Sequence, residues 1–324
     1  MKAFLRGVLR YFSYLCFFLA AIIVLYGVWS AFAYRDISYE ALHQRYGGNI
    51  EAVYIDGVNL HYRLDGAPIA SDKPAVLLIH SHYFNSRMWD DWVAEIGSQM
   101  RVIRFDLTSH GFTGAEPNGD YSMERDVFLV HSLLAHLGID RLALVGSSLG
   151  GNIAFHYAAS HPEKVTKLVL VNSGGLKREQ SSGRNASAIP DWFYRVLYFV
   201  PRTAWKAFIE WMAEEDSIAS PAFVKEFHDM LRHTGNRKAE MKRMASFRAG
   251  EPEQVLAKIE APVLIQWGEQ NPQLPVSSTE VFQSLLLNSA MVKVQTYSGA
   301  GHLLPVEKPV ASATDAIEFI LRKL

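Results

Sequence analysis

The chain has 324 residues, 49% of them hydrophobic and 20% charged, with a formal net charge of −1 and a single cysteine. That length suits one large domain with an insertion, or two modest ones. The balanced charge offers no field for a nucleic acid, and one cysteine excludes an internal disulfide framework or a cysteine metal site.

From Tyr11 to Tyr34 no residue is charged, and Lys2, Arg6 and Arg10 precede this run. The run exceeds the ~20 apolar residues that a membrane-spanning helix needs. The positive flank predicts a cytoplasmic N-terminus and an exported remainder. Tyr11, Tyr14, Tyr26, Trp29 and Tyr34 cluster toward the two ends, where an aromatic belt sits. Residues 1–34 are therefore expected to be a signal anchor. The alternative is a secreted protein cleaved near Ala33, because Ala31-Phe32-Ala33 resembles a signal-peptidase site.

Residues 35–48 are charged and predict a short linker or helix, with the main domain over 49–324. Alternating runs at Ala52–Ile55 and Leu60–Leu64 flank Asp56-Gly57, a hairpin signal. Ala75–Ile79 is continuously apolar, as in a strand buried on both faces, and similar runs recur at Val102–Phe105, Leu142–Val145, Leu168–Val171, Val263–Gln266 and Val292–Val294. Helical patterns lie between most of them, at Trp89–Met100, Met123–Leu137, Leu149–Ser160, Ser278–Leu287 and Val310–Leu324. The alternation predicts an α/β fold with a mostly parallel, doubly wound sheet of about eight strands. It breaks over 174–256, a helical and aromatic stretch that includes Trp192, Phe193, Trp205 and Trp211 and predicts an inserted cap over the carboxyl edge of the sheet.

One pentapeptide carries chemistry. Gly146-Ser147-Ser148-Leu149-Gly150 follows an apolar strand and opens a helix, the context that gives G-x-S-x-G its meaning. The turn is tight enough to project Ser148 out of the backbone, with a helix N-terminus beneath it to favour negative charge.

From about Val53 onward the chain resembles the α/β-hydrolase family, in which the nucleophile follows the fifth strand. Gly301-His302, continued by Glu307-Lys308-Pro309, matches that family's G-H-x-x-x-x-E-x-P segment, so the resemblance implies His302 as general base. It implies an oxyanion hole made by the amides of Leu149 and His82. His82 lies in His80-Ser81-His82-Tyr83, where Ser81 replaces a usual glycine. Asp106, in Asp106-Leu107-Thr108-Ser109-His110-Gly111, matches a turn segment and is expected to be structural. The family's acid after the seventh strand is absent. Trp267-Gly268-Glu269-Gln270-Asn271 puts Asn271 at its position, and Asn172 stands at the alternative position after strand six. Asn271 as an uncharged orienting group and Glu269 as a substitute acid both remain open.

The resemblance implies a serine hydrolase, chiefly a carboxylic ester hydrolase acting on a hydrophobic small molecule, with no cofactor; the histidines show no paired ligand spacing, so no metal is expected. The alternative is a weak or inactive hydrolase-fold binding protein. Dehalogenase or epoxide-hydrolase chemistry is disfavoured, since those members carry aspartate where Ser148 stands.

Overall fold

The computed structural model describes residues 1–177, 190–246 and 250–322. The parts of the expected cap at 178–189 and 247–249, and the last two residues of the final expected helix, lie outside the described residues.

The short apolar runs become eight strands: β1 Glu51–Ile55, β2 Val58–Gly66, β3 Ala75–Ile79, β4 Arg101–Phe105, β5 Leu142–Ser147, β6 Val165–Val171, β7 Val263–Gly268 and β8 Val292–Tyr297. They form one sheet in the order β1-β2-β4-β3-β5-β6-β7-β8. β2 pairs antiparallel with β1 and β4, and every later pairing is parallel. Asp56 and Gly57 both take positive φ (43° and 88°), the backbone that a two-residue hairpin turn requires.

Because successive strand side chains point to opposite faces, the central strands feed two cores. Leu77, Leu144, Leu170 and Ile265 join one cluster, whereas Val76, Leu78, Val145, Val169 and Leu264 join the other. Both faces are buried, which is why these strands read as continuous apolar runs rather than alternating ones.

In chain order the helices are α1 Lys2–Ala33, α2 Tyr39–Leu42, α3 Asp90–Ile96, α4 Met123–His136 and α5 Leu149–Ser160. Between β6 and β7 come α6 Arg202–Met212, α7 Pro221–Leu231, α8 Asn236–Ser246 and α9 Pro252–Leu256. α10 Ser278–Leu285, α11 Leu304–Glu307 and α12 Pro309–Leu321 complete the set. The helix expected over Trp89–Met100 is shorter. A 3-10 turn, Ser86–Trp89, is capped by Asn85 Oδ1 on the Arg87 amide at 2.9 Å, and α3 stops before Gly97.

Helices α6 and α7 extend the second core: Trp205, Ile209, Met212, Val224 and Phe227 pack in the same cluster as the sheet. α8 is held differently, by charge. Arg243 makes two bonds to the Asp126 carboxylate (2.7 and 3.1 Å) and two to Thr108 O from the same guanidinium (3.2 and 3.0 Å), all buried.

α1 is long and apolar enough to cross a membrane, and it is almost wholly uncovered by protein. Its last turns are the exception. Tyr26 Oη donates to Phe199 O at 2.8 Å, Arg232 to the carbonyls of Ala33 (3.1 Å) and Arg35 (3.0 Å), and Arg237 to Tyr34 O at 2.6 Å. Residues 35–48 form α2 and one π-helical turn, His43–Gly47, with Leu42 fully buried and Ile37 bridged to His233.

Candidate active site

The turn between β5 and α5 is built by exclusion. A Cβ on Gly146 would stand 2.2 Å from Gly150 O, and one on Gly150 would stand 2.2 Å from Ile79 O, so neither position accepts a side chain. Between them Ser148 adopts φ 53° and ψ −112°. Such a backbone costs of order 1–3 kcal/mol and persists only where the surroundings over-determine it. Here they do. The Ser148 amide donates to Val171 O at 3.0 Å, and the Ser148 carbonyl accepts from Gly174 N at 2.9 Å and Asn152 N at 3.1 Å.

Three of the expected residues meet. His302 Nε2 lies 3.0 Å from Ser148 Oγ, and His302 Nδ1 lies 3.2 Å from Asn271 Oδ1. The orientation of the Asn271 amide is fixed by its other partners, because Oδ1 also accepts from the amides of Gln273 and Leu274, both at 3.0 Å. An oxygen that accepts from two N–H groups also accepts from the ring, so the proton sits on His302 Nδ1 and the lone pair of Nε2 faces the serine hydroxyl. That is the tautomer a general base requires. The Asn271 Nδ2 is buried with no hydrogen-bond partner among the described residues.

Glu269 is not brought into this set: it is exposed, and its carboxylate accepts from Thr296 Oγ1 at 2.9 Å. Asn172 is a backbone clamp. It donates to Gly301 O (3.0 Å) and His302 O (2.9 Å) and accepts from Gly268 N (2.9 Å), joining the end of β6 to the His302 loop and to β7. Glu307 completes the loop by accepting from the amides of Gly301, Leu303 and Glu214. Burial pushes the Glu307 carboxyl above its usual range.

Leu149 opens α5, so its N–H has no acceptor inside the helix. The His82 amide has no hydrogen-bond partner among the described residues. Ser81, in place of glycine, turns its hydroxyl inward and donates to Ser147 Oγ at 2.8 Å, which ties the His80–Tyr83 loop to the residue beside Ser148. Asp106 accepts from Ser86 N (2.7 Å) and Phe112 N (2.8 Å), as a turn residue does.

The His82 side chain is half-buried, not directed at solvent, and pairs with Glu240 of α8. Glu240, His82 and His110 bring three potential metal-ligand atoms within 4.8 Å of one another, a grouping that residue spacing along the chain does not reveal. The His110 Nε2 lone pair is occupied by the Tyr83 N–H at 3.0 Å, which leaves that atom no lone pair to offer a cation. Burial drives His110 well below its ordinary value, and burial likewise pushes His80 down to about 4. His80 is therefore a neutral brace, accepting from Leu107 N at 2.9 Å and donating to Ser81 O at 2.8 Å. The contacts of Ser147, Glu240 and His110 are not legible in the sequence, because their partners Ser81, His82 and Tyr83 lie far from them along the chain.

A cavity of about 800 Å³ lies between the 3-10 turn after β3, α7 and residues 45–46; Ser148, Asn271 and His302 do not line it.

The family model of the α/β hydrolase fold matches residues 74–309. An uncharacterized protein of Mycobacterium tuberculosis is 35% identical over 122 residues, 38% of this chain and only 36% of that protein. A monoacylglycerol lipase of Xenopus laevis, abhd6-B, is 25% identical over 80% of this chain and 78% of its own. Among solved structures, a membrane phospholipase A described as a bacterial virulence factor superposes with a TM-score of 0.68 at 24% identity, covering 99% of this chain and 98% of that one. The enol-lactonase of Burkholderia xenovorans LB400 gives 0.71 at 20% identity, covering 84% and 100%. With this sheet order, this strand–turn–helix at Ser148 and a family match over most of its length, the chain belongs to the α/β hydrolase fold family.

Proposed function

We propose that the chain is a membrane-anchored serine hydrolase that cleaves carboxylic esters of hydrophobic small molecules through an acyl-enzyme on Ser148. The observation that carries this reading is the line Ser148–His302–Asn271, with both contacts in hydrogen-bond range and the tautomer set correctly. Ser148 Oγ attacks the carbonyl carbon while His302 Nε2 takes its proton. The amides of Leu149 and His82 receive the developing oxyanion. His302 then gives the proton to the departing alcohol, and afterwards takes one from the water that hydrolyses the acyl-enzyme.

Asn271 supplies orientation without charge. In a comparable serine enzyme, aspartate to asparagine lowers turnover roughly 10⁴-fold because the wrong tautomer results. Here two backbone amides hold the oxygen toward the ring, so only the missing negative charge is lost. The helices inserted between β6 and β7 act as a cap whose aromatic side chains favour an apolar acyl or aryl group. The monoacylglycerol lipase and the membrane phospholipase A among the similar proteins support an acyl ester. α1 serves as an uncleaved anchor, with a cytoplasmic N-terminus and the catalytic domain exported.

The test is labelling of the full-length, membrane-inserted protein with a fluorophosphonate probe, with Ser148→Ala as control. Labelling that vanishes in Ser148→Ala is the expected result. Folded wild-type protein that takes no label overturns the reading in favour of a binding role. Intact-mass analysis of the purified chain checks the anchor, since cleavage near Ala33 removes α1.

A further inference from the structure

The segment Asp191–Tyr198 is a 3-10 helix, with three residues per turn, so Phe193, Val196 and Phe199 share one side. Among the described residues that side is largely uncovered: Phe193 is 42%, Val196 39% and Phe199 44% exposed, and the neighbouring Trp192 is 59% exposed. Four large apolar side chains left open together mark an interaction surface.

The position of this edge names its partner. Tyr26 Oη donates to Phe199 O, and a Cβ at Gly27 would lie 3.8 Å from the Phe199 ring, so the edge abuts α1 itself. Tyr26 lies seven residues before Ala33, the last residue of α1, or about 10 Å along the axis. The uncharged run that ends at Tyr34 is a little longer than the ~30 Å hydrocarbon layer. The contact with Phe199 thus sits several ångströms inside the apolar span, not above it. Arg195 lies within the 3-10 helix, where its long side chain can reach outward to the headgroups, and Arg202 and Lys206 follow it, both well exposed and paired with Asp229 and Glu210.

We infer that the edge formed by Trp192, Phe193, Val196 and Phe199 is inserted into the exported leaflet of the phospholipid bilayer beside α1, so that the cap itself is a membrane-embedded element. This inference rests on the reading of α1 as an uncleaved span. The grips of Arg232 and Arg237 on the carbonyls of Ala33, Tyr34 and Arg35 leave no free tether between the span and the cap, so insertion of one fixes the depth of the other.

Spin labels in nanodiscs of phosphatidylcholine and phosphatidylglycerol test it on the full-length chain. The native Cys16 reports whether α1 spans. In a Cys16→Ser background, Phe193→Cys and Val196→Cys report the edge, and Tyr54→Cys, exposed on β1, reports water. Oxygen collisions several-fold above those of a water-soluble nickel complex at 193 and 196, with the reverse at 54, are expected. Nickel access at 193 and 196 equal to that at 54, with Cys16 deep, overturns the inference and leaves the anchor standing. A water-accessible Cys16 overturns both. Protection of 193 and 196 from both reagents, with spin–spin broadening between chains, replaces the bilayer by a second copy and also overturns it.

Discussion

The ends of β6 and β7 each present an asparagine toward the His302 loop, and the two do opposite things. Asn172 uses its whole amide: both carbonyls it donates to belong to the loop, and its oxygen receives the Gly268 amide. Asn271 uses half of its own. Three N–H groups converge on Oδ1 while Nδ2 lies buried without a partner among the described residues. One site is built for an amide and the other for an acceptor with more capacity than an amide has.

Four measurements would sharpen or break this contrast. Asn172→Asp should have the largest effect, since it sets a carboxylate against the carbonyls of Gly301 and His302. A stability loss of roughly 3–5 kcal/mol is expected in urea unfolding. A loss below about 1 kcal/mol would mean that the clamp does not hold the loop.

Neither asparagine titrates, so acid sensitivity of the fold must come from elsewhere, and the buried histidines supply it. His80 falls from 6.5 to about 4 on folding, and His110 and His228 fall as well, in each case chiefly through burial. Below pH 6.5 the unfolded chain binds more protons than the folded one. Stability should therefore drop as pH goes from about 6.5 toward 4, with His80 alone contributing roughly 3 kcal/mol. A melting temperature that stays level across that window would show that these rings reach water.

Asn271→Asp should raise kcat on a short soluble ester by roughly 10–100-fold, equivalent to ~1.4–2.7 kcal/mol. The carboxylate would keep the three donors and add charge opposite the imidazolium. Unchanged kcat in a folded variant would move the stabilising charge to another group. The smallest effect belongs to Ser81→Gly, which removes the bond to Ser147 and should cost about 1 kcal/mol of stability. A larger loss of activity than of stability would mean that this bond also positions the His82 amide.

Much of the architecture was legible along the chain because its signals are local. Ala75–Ile79 and Val263–Gln266 announce doubly buried strands by composition, Asp56-Gly57 announces its turn, and G-S-S-L-G announces a bend that only glycine at both flanks allows. His302 was legible for the same reason, lying in a compact ordered segment with Glu307. The helix over Trp89–Met100 was overextended, because Gly97 ends it at a close approach of two backbone segments, Gly66 and Gly97, that residue pattern does not encode.

By itself, then, the sequence determined the strands, the long apolar N-terminal helix, the serine turn and the absence of the usual acid, since each depends on residues within a few positions of one another. Tertiary structure alone decided which way the Asn271 amide points, that Glu269 turns away from His302 while Asn172 braces its loop, that Ser81 finds Ser147, and that Arg232 and Arg237 grip the end of α1. Each of these depends on hydrogen bonds between segments far apart in the chain, whose partners are chosen only when the sheet brings their ends to one edge.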